Sequence, residues 1–475
     1  MQWETLLSTN KLVVESPDPE QFIRYPMNEF EKDYNKIVSS PAFRRLQDKT
    51  QVFPLDKSDF IRTRLTHSIE VSTIARQLGI MVTRATQYRP DDIGTAEQEI
   101  IPSVLLCAGL LHDLGNPPFG HFGETTIGEW FKRNLNAVTY KGRSLRSMLT
   151  DQMISDLEHF EGNAQALRIL LKARFSSEVN LTEAVIGTLV KYPNNSLSFD
   201  AEDNDIKKHK LGFYCAEEET FREISQGLGT IGEDGSISRH PLTYLLEAAD
   251  DIAYATADLE DAFKKKLFTL DQFLEFYDAS YNHENITPHR SPEYYTDELR
   301  QDLMQRRNAE DHSKAFKGWL NYTRRWLMYV AAYRFSASYP SIMAGTFEKD
   351  LFWDTNHSVT IKTLKKAMVK FAFNTPTILK PELSAQAILS FLLDKFVHAA
   401  LYFDPSYAES EFIPSKADKK YMEIFSENYV QDYNQAKTGN EEYDLYLRLL
   451  MVTDYVSGMT DTYARTLYRE LSGIE

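Results

Sequence analysis

The sequence predicts an all-α protein that has a helical core, a second helical region and short irregular or β insertions. Apolar residues recur at helical spacing through most of the 475 residues, and few segments alternate as strands do. One helix face repeats at intervals of three and four residues: His67, Val71, Ile74, Leu78 and Met81. Residues 104–111 are apolar on every side, which is typical of a buried helix, and Asn116-Pro117-Pro118 interrupts the pattern.

Similar periodicity predicts further helices over 154–172, 181–190, 241–266, 319–338, 360–374, 384–401 and 443–471. Two short segments, 210–215 and 230–238, predict a strand pair, because Gly-Glu-Asp-Gly at 232–235 suits a turn. Polar residues and two prolines over 281–307 predict a surface insertion, and 403–417 is a second break in the helical pattern.

These patterns divide the chain into an N-terminal extension (1–29), a helical core (30–270) and a helical C-terminal region packed on that core (271–475). A chain of this length suits two or three domains. The same patterns also allow the two helical regions to share one hydrophobic core, so both arrangements stay open.

The charge and cysteine content narrow the class of protein. A net charge of −16, from 53 basic and 69 acidic side chains, repels polyanions over most of the surface, so nucleotides would need a local basic pocket. The two cysteines, Cys107 and Cys215, are too few for a disulfide framework or a zinc ribbon. Residues 1–10 lack a signal-peptide pattern, and no run reaches the roughly 18 apolar residues of a membrane span. We therefore expect a cytoplasmic protein with no membrane partner.

His112-Asp113, at the end of the buried helix, is the sharpest local feature. Two titratable groups next to an apolar helix cost free energy unless something uses them. Because the dipeptide is common, it indicates chemistry only together with other segments. His67 also lies on an apolar helix face, where it could be either a hydrogen-bonded core histidine or a metal ligand.

Residues 247–261 read EAADDIAYATADLED and form the second unusual segment. Asp250, Tyr254 and Asp258 lie four residues apart, so they share one face of a helix, and Asp251 points about 100° away. The segment could be a solvated acidic face, but the alanines between the acids favour close packing around a pocket. With His67, His112 and Asp113, it offers a nitrogen and oxygen ligand set that suits Mn, Fe, Co, Zn or Mg and leaves positions for water and substrate.

His121 and Glu124 lie at positions i and i+3 of the next predicted helix, so they also share a face. A carboxylate beside an imidazole orients the ring and favours its protonated form, which can donate a proton to a leaving oxygen. The spacing equally suits a simple helix-start arrangement in which Glu124 faces the positive end of the helix dipole.

Three motifs together resemble a known family: TRLTHS (63–68), HDLGNPPFGHFGE (112–124) and EAADDIAYATADLEDA (247–262). They resemble the HD superfamily, and more narrowly the bacterial deoxyguanosine triphosphate triphosphohydrolases and related deoxynucleoside triphosphatases. The resemblance runs from about residue 30 to the end of the sequence. It implies an all-α HD domain, a divalent metal, and hydrolysis of a deoxynucleoside triphosphate, with dGTP favoured, to deoxynucleoside and intact triphosphate.

By position in these motifs, the resemblance implies that the metal is held by His67, His112, Asp113 and Asp250. Asp250 is preferred to Asp251 because the metal aspartate of the family is followed by a tyrosine four residues on and an aspartate eight residues on. Only Asp250 has that relation here, to Tyr254 and Asp258. The resemblance does not distinguish among Mn, Mg, Fe and Co.

The same resemblance assigns His121 and Glu124 as the catalytic pair. It also assigns the substrate contacts, which are Gln51, Arg64, Lys191, Tyr254 and Asp258. In this assignment Arg64 and Lys191 bind phosphates, and Gln51 and Asp258 read the 3′-hydroxyl. Tyr254 would pack on the sugar, where a 2′-hydroxyl would clash.

Two other classes of function remain open from the sequence. One is an HD phosphodiesterase or nucleotidase that acts on another nucleotide. The other is a nucleotide or single-stranded DNA binder with a basic and aromatic surface formed by Tyr322, Arg324, Arg325, Trp326, Lys362, Lys365, Lys366 and Phe371. Solvated faces of two amphipathic helices explain the same residues. The family resemblance further implies a homo-oligomer and allows a nucleotide or DNA effector.

Overall fold

A computed structural model describes residues 1–13, 27–56, 58–85, 87–172, 179–280, 294–355, 357–409 and 411–474, apart from the side chains of 294–297. Helices dominate these residues, which confirms the predicted all-α class. The α-helices are Trp3–Leu6, Glu29–Ser39, Pro41–Arg45, Arg64–Arg84, Glu97–Leu111, Gly120–Asn134, Asp151–Glu158, Gly162–Leu171, Glu183–Leu189, Glu218–Gly227, Pro241–Ala253, Leu259–Lys264, Leu270–Ser280, Tyr294–Gln305, His312–Ala337, Tyr339–Met343, His357–Met368, Pro376–Leu401, Lys416–Ile424, Glu427–Ala436, Glu441–Ser457 and Asp461–Ser472.

Shorter elements join these helices. Two π-helical turns are Tyr254–Asp258 and Val369–Phe373. The 3₁₀ turns are Leu46–Asp48, Leu145–Met148, Ile206–Lys208, Arg306–Asn308 and Pro405–Tyr407. Across the described residues, no helix is both long enough and apolar enough to cross a membrane.

The sequence prediction was wrong about the strand pair. Residues 210–215 form no strand, because Gly212 donates its N–H to the Asn194 carbonyl at 2.9 Å and the segment packs as a loop. Of the predicted partner, a single bridge between Ile231 and Ile237 remains. The regular strands of the described residues are Thr139–Tyr140 and Arg143–Ser144, which pair antiparallel.

Three predicted boundaries also need correction. The insertion predicted over 281–307 is partly helical, since Tyr294–Gln305 forms a helix with Leu299 and Leu303 fully buried; residues 281–293 lie outside the described residues. The helix predicted over 154–172 breaks between Glu158 and Gly162, and the one over 443–471 breaks between Ser457 and Asp461. The first break brings Glu161 close to His121 and Glu124, and the second lets Asp461 accept hydrogen bonds from Thr50 and Phe119.

The pair Arg64–Arg84 and Glu97–Leu111 forms the centre of the fold. Thr63 caps the first of these helices, because its hydroxyl accepts from the Thr66 N–H and the Thr66 hydroxyl accepts from the Thr63 N–H. The two helices touch where Gly109 meets Ser72, and a Cβ on Gly109 would lie 2.4 Å from the Ser72 Cα. Only glycine permits this approach, which carries His67 and His112 towards each other.

Three hydrophobic clusters stabilise the fold, and each contains residues from both sides of residue 270. The first also takes in Trp3 and Leu6 from the predicted N-terminal extension. The second joins Gly120–Asn134 to Pro376–Leu401 and Glu441–Ser457. The division into 1–29, 30–270 and 271–475 therefore stays a prediction, and packing runs across both of its boundaries.

Truncation of a buried leucine in the second cluster tests how strongly the C-terminal helices stabilise the fold. Leu389 has no exposed surface, so we expect Leu389→Ala to lower the free energy of unfolding by about 2–5 kcal/mol. Leu383, on the same helix, is 66% exposed, and Leu383→Ala should change stability by less than about 0.5 kcal/mol. Urea unfolding followed by circular dichroism measures both values. Equal losses in the two variants would contradict the packing described here.

Candidate functional site

His67, His112 and Asp113 gather at one point, each offering a ligand atom within 4.8 Å of the others. The ring centroids of the two histidines are 5.4 Å apart. His112 Nδ1 lies 2.8 Å from the Gly109 carbonyl and therefore donates to it. This bond leaves His112 Nε2 as the nitrogen with a lone pair, and it faces the Asp113 carboxylate at 3.4 Å.

Asp250 lies beside this group of three, with its Oδ1 3.4 Å from His67 Nε2 and 3.5 Å from His112 Nε2. Its other oxygen accepts from Lys191 Nζ at 2.6 Å. Asp251 faces elsewhere and pairs with Lys365 at 2.6 Å. Of these two neighbouring acids, the structure therefore brings only Asp250 to the imidazoles.

The electrostatics of the cluster depend on two buried carboxylates with cationic partners. Burial raises the pKa of Asp113, but the Arg64 guanidinium at 2.7 Å and the adjacent His112 outweigh it and hold that pKa well below its usual range. Asp250 behaves alike, because the Lys191 ammonium outweighs burial and keeps its pKa low. Both acids are therefore ionised at neutral pH and offer oxygen ligands.

His67 completes this charge pattern. Burial lowers the pKa of its imidazole, yet contact with Asp250 and the nearby charges of Asp258 and Asp113 raise it above its ordinary value. The cluster thus favours positive charge at its centre. Arg64 and Lys191, which the sequence predicts as phosphate contacts, both border it and are buried against its carboxylates.

Asp258 lies near His67 of the cluster, and Gln51 and Tyr254 lie near Asp258. Burial raises the pKa of Asp258 to about 7, and the neighbouring His67 and the Gln51 amide oppose that shift. Neither Asp258 oxygen makes a well-formed hydrogen bond to the described residues. Tyr254 is half-buried, and burial together with the charge of Asp258 raises the pKa of its hydroxyl.

Tyr254–Asp258 is a π-helical turn, which the sequence does not predict. A π-helix bonds residue i to i+5 and so holds more residues per turn than an α-helix, and such turns are frequent at functional sites. Alanines at positions 253, 255 and 257 are fully buried here and let the wider turn pack. Asp250 and Asp258 nevertheless both stay close enough to Tyr254 for their charges to raise the pKa of its hydroxyl.

His121 and Glu124 meet as predicted from their spacing, with His121 Nδ1 2.7 Å from Glu124 Oε2. The helix that carries them begins after a left-handed turn, with φ of 64° at Phe119 and 65° at Gly120. A Cβ on Gly120 would lie 2.9 Å from Arg64 Nη2, and the left-handed backbone there also favours glycine. The His121 side chain is 82% exposed, whereas that of Glu124 is buried.

Glu124 is fixed from the other side by Gly162, whose N–H donates to Glu124 Oε1 at 2.9 Å. A Cβ on Gly162 would lie 2.5 Å from that oxygen. Held in this way, Glu124 raises the pKa of His121 through their hydrogen bond, against a smaller opposing effect of burial. Glu124 therefore holds the His121 ring at the surface and favours its protonated form.

Three residues of the site escaped the sequence analysis. Asn116 donates to Asp113 Oδ1 at 2.6 Å, and Lys210 pairs with Glu161 at 2.9 Å beside the His121 and Glu124 pair. Asn116 stands within HDLGNPPFGHFGE, so motif resemblance offered a signal for that residue. Lys210 lies in the loop that was predicted as a strand, and no sequence pattern indicated its place in the site.

The residues present fit a divalent metal. Two imidazoles and one carboxylate already converge, and Asp250 lies about 3.5 Å from both rings. Mixed nitrogen and oxygen donors without thiolate suit Mn, Fe, Co, Zn or Mg. Asn116 and Gly109 hold the outer atoms of Asp113 and His112, which is the support that metal ligands commonly receive.

Comparison with known proteins agrees with this geometry. The HD domain family matches residues 64–186, which places the chain among HD-domain proteins, a class that binds a divalent metal. A Listeria monocytogenes protein named "deoxyguanosinetriphosphate triphosphohydrolase-like protein" is 42% identical over 94% of both chains. The Yersinia enterocolitica protein named "deoxyguanosinetriphosphate triphosphohydrolase" is 33% identical over 94% of both. The chain belongs to the deoxyguanosinetriphosphate triphosphohydrolase family, which confirms the resemblance seen in its motifs.

Removing the Glu124 charge tests the coupling between Glu124 and His121. We expect Glu124→Gln to lower the pKa of His121, because the amide no longer stabilises the imidazolium. Histidine ring NMR titration measures this pKa, and the His121 signal is assigned by its loss in His121→Ala. Glu129→Gln removes an exposed acid on the same helix and should leave the His121 pKa unchanged. A His121 pKa that stays the same in Glu124→Gln would contradict the coupling.

Proposed function

We propose that the protein hydrolyses deoxynucleoside triphosphates, with dGTP favoured, to deoxynucleoside and inorganic triphosphate. The observation that carries this proposal is that Gly162 contacts both Glu124, the partner of His121, and Asn116, which donates to Asp113 of the metal-ligand cluster. A metal site alone would serve many phosphate esters. The proton donor next to it, and the family to which the chain belongs, favour this reaction.

In this proposal the metal is held by His67, His112, Asp113 and Asp250. A divalent metal at such a site polarises a phosphoryl oxygen and lowers the pKa of a bound water. Arg64 and Lys191 keep the two carboxylates ionised. The Gly109 carbonyl orients the His112 ring. The identity of the metal, Mn, Mg, Fe or Co, stays a prediction.

His121 would act as the general acid. Attack at the α-phosphorus expels the 5′-oxygen of the nucleoside, a poor leaving group unless it gains a proton. His121 carries that proton because Glu124 raises its pKa, and its exposed ring can reach a bound substrate. Glu124, whose side chain is buried, supports the positive charge of His121 until the proton is transferred.

Arg64 and Lys191 would neutralise the phosphates. Both are buried and now pair with the carboxylates Asp113 and Asp250. Each cation has further donor atoms, so it can contact a phosphate oxygen while it keeps its carboxylate partner. Arg64 Nε makes no hydrogen bond to the described residues. This N–H could donate to a phosphate oxygen, which supports the role of Arg64 as a phosphate contact. Positive groups at these places stabilise charge in phosphoryl transfer.

The sugar would be read by Gln51, Asp258 and Tyr254. The Gln51 carbonyl and both Asp258 oxygens are buried without a well-formed hydrogen bond to the described residues, and such groups normally find a partner. A 3′-hydroxyl would supply one. Tyr254 borders the same space, where a 2′-hydroxyl on a ribonucleotide would compete with its ring.

The alternatives receive less support. The relatives are named as triphosphohydrolases, which does not favour a phosphodiesterase or nucleotidase. Among the cations of the predicted DNA-binding surface, Arg324 pairs with Glu70 at 2.9 Å and Lys365 with Asp251 at 2.6 Å, so part of that charge is used internally. A homo-oligomer, a nucleotide or DNA effector and a cytoplasmic location stay predictions from the sequence.

Product analysis with a catalytic variant tests the reaction. Supplied with Mn or Mg, the protein should release intact triphosphate from dGTP, as measured by anion-exchange chromatography. His121→Ala should lower kcat by roughly 10²–10⁴-fold and still bind dGTP, because only proton transfer is lost. His398→Ala, at an exposed histidine of another helix, is the matched control and should keep full activity. Orthophosphate or nucleoside monophosphate as the main product would overturn the proposal.

Discrimination between deoxyribose and ribose tests Tyr254. We expect Tyr254→Ala to raise the ratio of GTP to dGTP hydrolysis, measured as kcat/KM, by about 10-fold or more, since removal of the ring relieves the clash. Tyr333→Ala removes an exposed ring from the helix His312–Ala337 and should leave the ratio unchanged. Wild-type protein that hydrolyses GTP as fast as dGTP would refute the role of Tyr254.

A further inference from the structure

Asp461 has an unusual environment for the first residue of a surface helix. Its side chain is buried, and donors from two distant segments point at it. Oδ1 accepts from the Phe119 N–H at 2.9 Å, and Oδ2 accepts from the Thr50 N–H at 3.1 Å. The Thr50 hydroxyl also donates to Oδ2.

Helix capping does not explain this arrangement. An acid in the first helical turn is common because it interacts with the helix dipole. Here, however, Thr460 already caps the helix and accepts from the Tyr463 N–H at 3.2 Å. The carboxylate of Asp461 instead points away from its own helix and satisfies backbone donors elsewhere.

The two segments that meet at Asp461 both lead into the site. Thr50 directly precedes Gln51, and Phe119 lies two residues before His121 at the left-handed turn that starts its helix. Lys49 adds a parallel link, because its Nζ donates to the carbonyls of Asn116 at 2.6 Å and Ser457 at 2.8 Å. Residues 49–51 and 116–121 are thus both held by the turn between Ser457 and Asp461.

We propose that Asp461 is a positioning residue that fixes the separation between His121 and Gln51, and so between the proton donor and the sugar contact. The proposal rests on the function proposed above for those two residues. It depends on both carboxylate oxygens, because each accepts a backbone N–H that cannot reverse its role. Asparagine offers one acceptor oxygen, so one of the two segments must lose its hydrogen bond.

Steady-state kinetics of Asp461→Asn test the proposal. We expect kcat for dGTP to fall about 100-fold, as displacement of a reacting group by roughly 1 Å can cause. Thr50→Val removes only the hydroxyl donor and should give a smaller loss, which keeps the test useful if Asp461→Asn folds poorly. Thr462→Ala is the control, because it removes an exposed hydrogen bond to Asp48 at the neighbouring position and should keep full activity.

A double-mutant cycle separates positioning from a general loss of structure. If Asp461 acts through His121, Asp461→Asn should lower kcat less than about twofold further in the His121→Ala background. The cycle also uses Thr50→Val in both backgrounds, with the same expectation. Equal losses with and without His121 would overturn the proposal, since the effect would then not pass through that residue.

Hydrogen exchange gives a readout that does not depend on the reaction. At least one of the peptides that cover 49–53 and 117–121 should exchange faster in Asp461→Asn, because asparagine keeps one acceptor oxygen, and peptides from Arg64–Arg84 should not exchange faster. Unchanged protection in both of the first two peptides would show that Asp461 does not hold these segments in place. If wild-type protein releases no triphosphate but the exchange result holds, the proposed function fails and the structural link stands.

Discussion

Charge balance in a buried space is the constraint on which the rest of the site depends. Burial makes ionisation of Asp113 and Asp250 unfavourable. Arg64 offsets this cost at 2.7 Å from Asp113, and Lys191 does so at 2.6 Å from Asp250. Loss of either cation would leave a carboxylate that must bind a proton or draw in another cation. Arg64 and Lys191 also place two cations beside the cluster in a protein whose net charge is −16.

Close contact with the backbone is the second constraint, and glycine occupies several positions where the chain makes such contact. Gly109 lets two helices meet at Ser72, Gly120 makes room for the Arg64 guanidinium, and Gly162 donates to Glu124 where no Cβ would fit. Gly115 continues this contact, since its Cβ would lie 2.1 Å from the Gly162 carbonyl. The glycines of HDLGNPPFGHFGE therefore serve packing around the site.

Much of this arrangement could be predicted from the sequence, and the exceptions have physical causes. Helical periodicity located the helices that carry His67, His112 and Asp250, and spacing brought His121 to Glu124. Periodicity does not detect a π-helical turn such as Tyr254–Asp258, because its residues still look helical one by one. Nor does it detect a buried loop: the apolar residues near Lys210 resembled a strand but bury their side chains in irregular backbone. The contacts of Asp461 join residues far apart in the chain, which no local pattern reveals.

The link from Phe119 to Asp461 spans 342 residues and the one from Thr50 spans 411. A ribosome adds residues in order, so both segments of the site leave it long before their common acceptor is made. Contacts of such separation form late because closing a long loop costs entropy first. His67, His112 and His121 are therefore all synthesised before the residue that links positions 50 and 119. If Asp461 positions His121 against Gln51 as proposed, the separation of those two residues is set only after residue 461 has been made.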